Sequence, residues 1–292
     1  MTVRQPRGLV ILVALLLAPA SYAQPTSAHF DSNGVGIHYV DSGRGVPVVL
    51  LHGFTGTYAR HIEMPGLSTA LQTAGYRVIG IDCRGHGDSG KPHDAAQYGL
   101  EMVRDVVRLL DHLGIDRAPV VGYSMGGAIA LQLLVRYPER LRTVSLIGSG
   151  WEGENPQQIR SEVLALSEAF SKRDATALIR GVSAGGQTAL SDQQVAAANA
   201  ALFARNDGDA LAAAAKGLIP LFDVPTQALR STKIPVIAIT GERDLRNLPS
   251  AKRMSGVVPS LELVELPGAT HATSVKPSTE HVVAFLAKHG GG

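Results

Sequence analysis

Three side chains, widely separated in the chain, have the types needed for nucleophilic acyl transfer. Ser124 lies in Gly122-Tyr123-Ser124-Met125-Gly126, a G-x-S-x-G pattern. The pattern has a physical purpose. A strand turns sharply into a helix, the serine oxygen stands clear of the sheet, and the helix start directs backbone N–H groups toward developing negative charge. A serine hydroxyl is a weak nucleophile at neutral pH and needs a base. Of the ten histidines, His271 fits best, because Pro267-Gly268-Ala269-Thr270-His271 follows an apolar strand run and leads into the last helix. The base needs a carboxylate to fix its tautomer. Asp244, in Gly241-Glu242-Arg243-Asp244 after another apolar run, is the first choice, with Glu242 and Glu152 as alternatives. An oxyanion also needs donors. The backbone N–H groups of Phe54, in His52-Gly53-Phe54, and of Met125 are the natural pair.

The bare serine pattern is weak, since Gly181-Val182-Ser183-Ala184-Gly185 matches it too. Context separates the two. Ser124 follows the apolar run Ala118–Val121 and opens an apolar helix, whereas Ser183 follows a helical segment. The remaining histidines read as surface or turn residues: His29, His38, His61, His93 and His112, with His281 on the last helix and His289 in the tail. His52 reads either as part of a functional loop or as a buried turn residue. Cys83, the only cysteine, reads as a buried bystander, because no helix start follows it; it cannot form an internal disulfide.

These residues require a scaffold that brings distant loops to one place. The pattern supplies it. Ala28–Phe30 and Val35–Asp41 alternate around Ser32-Asn33-Gly34, a hairpin signal. Val46–Leu51, Arg77–Ile81, Ala118–Val121, Val144–Ile147, Ile234–Thr240 and Leu261–Leu266 read as strands, mostly short apolar runs buried on both faces. Helical stripes fall at Leu67–Ala74, Leu100–Leu113, Met125–Tyr137 and Val275–Lys288. Strands alternating with helices imply βαβ units: an α/β fold with a mostly parallel sheet, helices on both faces and an antiparallel opening hairpin. The strand rhythm breaks between 151 and 229, where helical stretches occur near Ile159–Ser171, Ala175–Arg180, Asp192–Ala204 and Asp209–Lys216. That division gives a core of 24–150 and 230–292 with an inserted helical lid at 151–229, placed over the carboxyl ends of the strands.

Composition narrows the function. The chain has 292 residues, 45% hydrophobic and 18% charged, with a formal net charge of +2. Arg4 and Arg7 account for that surplus, and the remainder is balanced. A neutral chain gives no electrostatic reason to bind nucleic acid or an anionic membrane. No phosphate loop or Cys/His ligand cluster suggests a metal or an organic cofactor. Residues 1–23 read as a secretory signal: Arg4 and Arg7, the apolar run Leu9–Ala18, then Ser21-Tyr22-Ala23 with cleavage before Gln24. The apolar run falls short of the roughly 20 residues that span a bilayer. An exported protein, periplasmic or secreted and without stable membrane association after cleavage, is expected; the competing reading is an uncleaved anchor.

The segments His52-Gly53-Phe54-Thr55-Gly56, Asp82 to Ser89, Gly122 to Gly127, Gly241 to Asp244 and Gly268 to His271, in this order, resemble the α/β-hydrolase superfamily over essentially all of the chain beyond residue 23. The resemblance implies an eight-stranded sheet, a lid after the sixth strand, and the chain order nucleophile, acid, base. It also implies that Arg84, His86 and Asp88 are scaffold. Related epoxide hydrolases and haloalkane dehalogenases carry aspartate where this chain has Ser124, which argues against both activities. Many relatives have His where this chain has Tyr123, a difference given no catalytic meaning. The expected activity is cleavage of a small carboxylic ester or lactone through an acyl-enzyme. Cofactor-free perhydrolysis, carbon–carbon bond hydrolysis and ligand binding with feeble catalysis are the alternatives. Few large apolar side chains in 151–229 favour a soluble esterase over a lipase.

Overall fold

A computed structural model describes residues 25–154, 157–186 and 188–290. The expected signal, residues 1–23, lies outside them. Eight strands form one sheet: β1 (Thr26–Asp31), β2 (Gly36–Gly43), β3 (Pro47–Leu51), β4 (Arg77–Ile81), β5 (Ala118–Tyr123), β6 (Leu141–Ile147), β7 (Val236–Gly241) and β8 (Leu261–Leu266). The helices are α1 (Leu67–Thr73), α2 (Leu100–His112), α3 (Met125–Arg136), α4 (Gln157–Ser171), α5 (Thr176–Ser183), α6 (Asp192–Phe203), α7 (Gly208–Gly217), α8 (Thr226–Ser231), α9 (Asn247–Ser255) and α10 (Val275–His289). The spatial order is β1-β2-β4-β3-β5-β6-β7-β8. β1–β2 and β2–β4 pair antiparallel, and all other pairs are parallel.

The central strands are apolar without a break because both faces are covered. Successive side chains point to opposite faces. Val49 and Leu51 of β3 pack with α2 and α3 through Val106, Leu109, Ile129 and Leu133. Val48 and Leu50 pack on the other face with Leu67 and Leu71 of α1 and with Val282 and Leu286 of α10. The opening hairpin turns through Asn33 and Gly34, both at positive φ, as its turn residues require.

Between β6 and β7 the described chain is helical, α4 to α8. Gln132 of α3 ties this block to the core by donating to the carbonyls of Pro220, Leu221 and Asp223, each at 3.1 Å. Trp151 Nε1 donates to the Val224 carbonyl at 3.0 Å. The sequence pattern missed α8 and α9, and it placed His289 in a tail although α10 extends through it. α9 is short, and its buried face is only Ser250, Ala251 and Met254, too weak a stripe to show as a period.

The Asp82–Ser89 segment is a polar core of its own. Arg84 is fully buried. Its guanidinium donates to both oxygens of Asp105, at 3.0 and 2.7 Å, and to the Ser32 carbonyl and Gln97 Oε1. Asp82 accepts from the Tyr58 and Asp88 amides and pairs with His38 Nδ1 at 2.9 Å. His38, read as a surface or turn residue, is therefore buried and partnered. Removing one member of a buried pair leaves the other charge unpaired, at a cost of about 3–5 kcal/mol. Arg84→Ala is therefore expected to lower the unfolding free energy by roughly that amount, measured by urea denaturation. A loss under ~1 kcal/mol would show that the pair is not a structural keystone.

Candidate active site

The register of the parallel strands sets the site. Tyr123 of β5 pairs with Ile147 of β6, Ile147 with Ile239 of β7, and Gly241 of β7 with Leu266 of β8. The carboxyl ends of these strands therefore form one rim, and Ser124, Asp244 and His271 all lie on loops leaving it.

Ser124 has φ 53° and ψ −112°, a conformation strained for a residue with a Cβ. Hydrogen bonds hold it: Ser124 N–H donates to the Ile147 carbonyl at 2.9 Å, and Gly126 N–H to the His52 carbonyl at 3.1 Å. Close packing holds it too. A Cβ on Gly122 would lie 2.2 Å from the Gly126 carbonyl oxygen, and one on Gly126 would lie 2.3 Å from that of Leu51. Only glycine permits β5, α3 and β3 to approach so closely.

His271 Nε2 lies 3.0 Å from Ser124 Oγ, and His271 Nδ1 lies 2.8 Å from Asp244 Oδ2. A carboxylate accepts, so Nδ1 carries the proton in neutral imidazole and Nε2 is left free to accept from the serine hydroxyl. Asp244 is 3% exposed. Burial pushes its carboxyl pKa up. The hydrogen bond and charge of His271, with the bonds from Asn247, outweigh burial and hold it below the usual carboxylate range. Glu242, the first alternative acid, is exposed and instead accepts from Gly268 N–H at 2.9 Å, bracing the histidine loop. Glu152, the second, lies in the loop after β6 and lines the adjoining cavity. Ser183 ends α5 at ordinary φ and makes no hydrogen bond to a histidine among the described residues. Cys83 is buried, and burial pushes its thiol well above the usual range, which removes it as a nucleophile.

Phe54 and Met125 bracket the serine. Neither backbone N–H has an intramolecular acceptor among the described residues, and both residues line the same cavity as Ser124. The loop carrying Phe54 is fixed by His52, whose Nδ1 donates to the Gly53 carbonyl at 2.8 Å while its Nε2 accepts from Cys83 N–H at 2.9 Å. His52 is thus a buried turn residue that shapes the loop, the second of the two readings offered by the sequence.

Supporting residues went unrecognised in the sequence. Asn247 Nδ2 donates to both oxygens of Asp244, at 2.9 and 3.0 Å, and Asn247 N–H donates to Oδ1 at 3.1 Å. An asparagine three residues after an aspartate reads as turn chemistry, so nothing marked it. Tyr123 stacks on the His271 ring, with centroids 5.2 Å apart, and donates its hydroxyl to the His271 carbonyl at 3.1 Å. A Cβ on Gly148, at φ 56°, would stand 3.0 Å from His271 Nδ1. His61, read as a surface or turn residue, is half-buried, its ring 5.4 Å from that of Tyr123. His61 Nδ1 and His86 Nε2 are buried without a partner among the described residues.

The cavity has a volume of about 430 Å³ and lies between the rim and the helical block, with Phe54, Val163, Leu166, Leu178, Leu218 and Phe222 among its apolar lining. Phe54 stacks on Phe170 of α4, with centroids 5.6 Å apart, so the loop after β3 and the block share an aromatic contact. Among the described residues, His38, Asp82 and Asp88 are the group close enough to hold a metal ion, and hydrogen bonding already accounts for His38 and Asp82. No helix of the described residues is long and apolar enough to cross a membrane.

Residues 46–176 match the alpha/beta hydrolase fold family. A bifunctional epoxide hydrolase 2 of Sus scrofa is 30% identical over 168 residues, 56% of this chain and 30% of that protein. The chain therefore spans less than a third of that relative's length. A 2-hydroxy-6-oxo-6-phenylhexa-2,4-dienoate hydrolase of Comamonas testosteroni is 42% identical over 120 residues, 40% of this chain and 41% of that one. Among solved structures, one from work on carboxylesterases of Nitrososphaera gargenis superposes with a TM-score of 0.73 at 24% identity, covering 90% of this chain and 98% of that one. That likeness shows a shared fold.

Two expectations follow. A hydrogen bond to a carboxylate is worth about 1.5 kcal/mol, or roughly tenfold in rate if its loss falls on the transition state. Asn247→Ala is thus expected to slow phosphonylation of Ser124 by a fluorophosphonate about tenfold, measured as the second-order labelling rate, with labelling still confined to Ser124. The second expectation concerns pH. Burial lowers the pKa of His52 from 6.5 to about 4 and that of His86 to about 3. The unfolded chain takes up these protons near pH 6.5, while the folded chain refuses them until near 4. Stability is therefore whole above 6.5 and falls as pH drops through that window, by up to ~1.4 kcal/mol per pH unit for each ring. The unfolding free energies obtained from urea denaturation at pH 7 and pH 5 are expected to differ by a total of about 2–4 kcal/mol from these two rings.

Proposed function

Because the chain belongs to the α/β-hydrolase superfamily, we propose that it is a serine hydrolase that cleaves a small carboxylic ester or lactone. The observation that carries this reading is the continuous line of hydrogen-bonding groups from Ser124 Oγ through the His271 ring to Asp244.

In this reading Ser124 Oγ attacks the substrate carbonyl while His271 Nε2 takes its proton. Asp244 keeps the tautomer and stabilises the imidazolium. The Phe54 and Met125 amides receive the oxyanion. His271 then gives its proton to the leaving alcohol, and the acyl group rests on Ser124. Water, deprotonated by the same nitrogen, adds to the acyl-enzyme and releases the acid. Loss of one oxyanion donor costs on the order of a hundredfold in rate.

The named relatives include epoxide hydrolases, and the elbow residue argues against transferring that activity. If a serine oxygen opened an epoxide, the product would be an ether. An ether has no carbonyl for water to attack, so the enzyme would be trapped after one turnover. An acyl-serine has that carbonyl. A second reading, carbon–carbon bond hydrolysis beside a ketone, is favoured by the Comamonas relative's printed activity. It uses the same nucleophile and base, with a stabilised carbanion as leaving group. Turnover of that relative's dienoate compared with that of p-nitrophenyl esters separates the two readings.

The helical block over the rim is read here as the lid that admits substrate, and residues 1–23 as a leader that directs export. The test of the function is direct. Ser124→Ala is expected to reduce ester turnover by roughly 10⁴–10⁶-fold, with the fold intact by circular dichroism, and a fluorophosphonate is expected to modify Ser124. Undiminished turnover in Ser124→Ala, or modification of Ser183 in its place, would remove this assignment.

A further inference from the structure

The cavity beside Ser124 is apolar over most of its wall, yet it holds one carboxylate without a hydrogen bond among the described residues. Three charged side chains, apart from Asp244, line it: Glu152, Glu162 and Arg246. Arg246, two residues beyond Asp244, bonds to Glu162 of α4, so these two charges satisfy each other across the gap between core and helical block. Glu152 has no such match. Its side chain is 21% exposed, and it makes no hydrogen bond among the described residues. The nearest cation is Arg253 of α9, at 4.0 Å. Arg253 is half exposed, does not line the cavity, and also donates to the Trp151 carbonyl at 3.4 Å. Burial pushes the Glu152 carboxyl pKa up and Glu162 adds to the rise, while Arg246 and Arg253 oppose it.

A carboxylate drawn out of water without a hydrogen bond costs several kcal/mol. That cost is offset when a guest brings a donor. The lining charge fixes the sign of the guest: two acids face one base in the cavity, and the Asp244 charge is engaged by His271. We propose that Glu152 sets the specificity of this cavity, accepting a protonated amine on the substrate while the ester carbonyl sits at Ser124. The preferred substrate class is thus a small ester or lactone carrying an ammonium group, its intervening carbons against Val163, Leu166 and Phe222. This rests on the reading of Ser124 as the acyl-transfer nucleophile. An anionic guest meets Glu152 as a like charge and must displace Glu162 to reach Arg246.

Two measurements test the assignment, one of which does not depend on turnover. In the Ser124→Ala protein, titration calorimetry with hexylammonium, hexanol and hexanoate is expected to rank them in that order, with the ammonium bound about tenfold tighter than the alcohol. Adding Glu152→Gln is expected to erase most of that advantage. In the otherwise unaltered protein, the ratio of kcat/KM for the p-nitrophenyl ester of 6-aminohexanoic acid over that of hexanoic acid is expected to fall about tenfold on Glu152→Gln. The ratio comes from one preparation, so partial misfolding of the variant cancels. Hexanoate bound tightest, or an ammonium advantage unchanged by Glu152→Gln, overturns the inference; the first result would make Arg246 the receiving group. Ammonium binding that depends on Glu152, in a protein that turns over neither ester, would instead overturn the acyl-transfer reading and leave the cation site standing.

Discussion

A strained residue that packing must hold in place is the constraint from which the rest of this structure follows. Ser124 occupies a backbone conformation that a side chain disfavours, and such strain persists only when its surroundings over-determine it. Here they do. The strand before it is buried on every residue, the helix after it is buried nearly all round, and the two glycines flanking the turn touch backbone on both sides. The same geometry lifts the hydroxyl off the sheet and leaves the Met125 amide beside it without an acceptor among the described residues. The raised hydroxyl and the free amide beside it are thus two consequences of one turn.

Electrostatics around that turn are arranged with economy. The imidazoles beneath it, His52 and His86, are buried neutral, so they shape loops without adding charge near the relay. Arg84 and Asp105 neutralise each other some distance away along the polar Asp82–Ser89 segment. Next to the His271 ring the charge that counts is Asp244, and Asn247 and Gly148 exist to hold that carboxylate and ring in register. Tyr123 adds a flat surface and a hydroxyl that pin the histidine loop.

Much of this was legible in the sequence, for physical reasons. Apolar runs such as Val46–Leu51 announced strands covered on both faces, and once strands alternate with helices the parallel order and its single functional rim are nearly forced. Ser124 could be told from Ser183 because an elbow needs a strand before it, and α5 is a helix. What escaped notice depends on three-dimensional neighbours. His38 carries no local mark of burial and is enclosed by a residue distant in sequence, Asp82, while half-buried His61 meets the ring of Tyr123. Asn247 resembles any turn asparagine until Asp244 is seen to face it. Glu152 had been weighed as a spare acid for the relay, and only the cavity wall shows that it faces the space beside the serine.

The proposed chemistry depends on the proton between His271 Nδ1 and Asp244, since that bond selects the tautomer that leaves Nε2 able to take the serine proton. Proton NMR in water observes it directly. A far-downfield ring N–H resonance is predicted in the unaltered protein, absent in Asp244→Ala and in His271→Ala, and displaced when Ser124 is phosphonylated. A resonance that survives in Asp244→Ala, or one indifferent to modification of Ser124, would contradict the relay and with it the chemistry assigned to this rim.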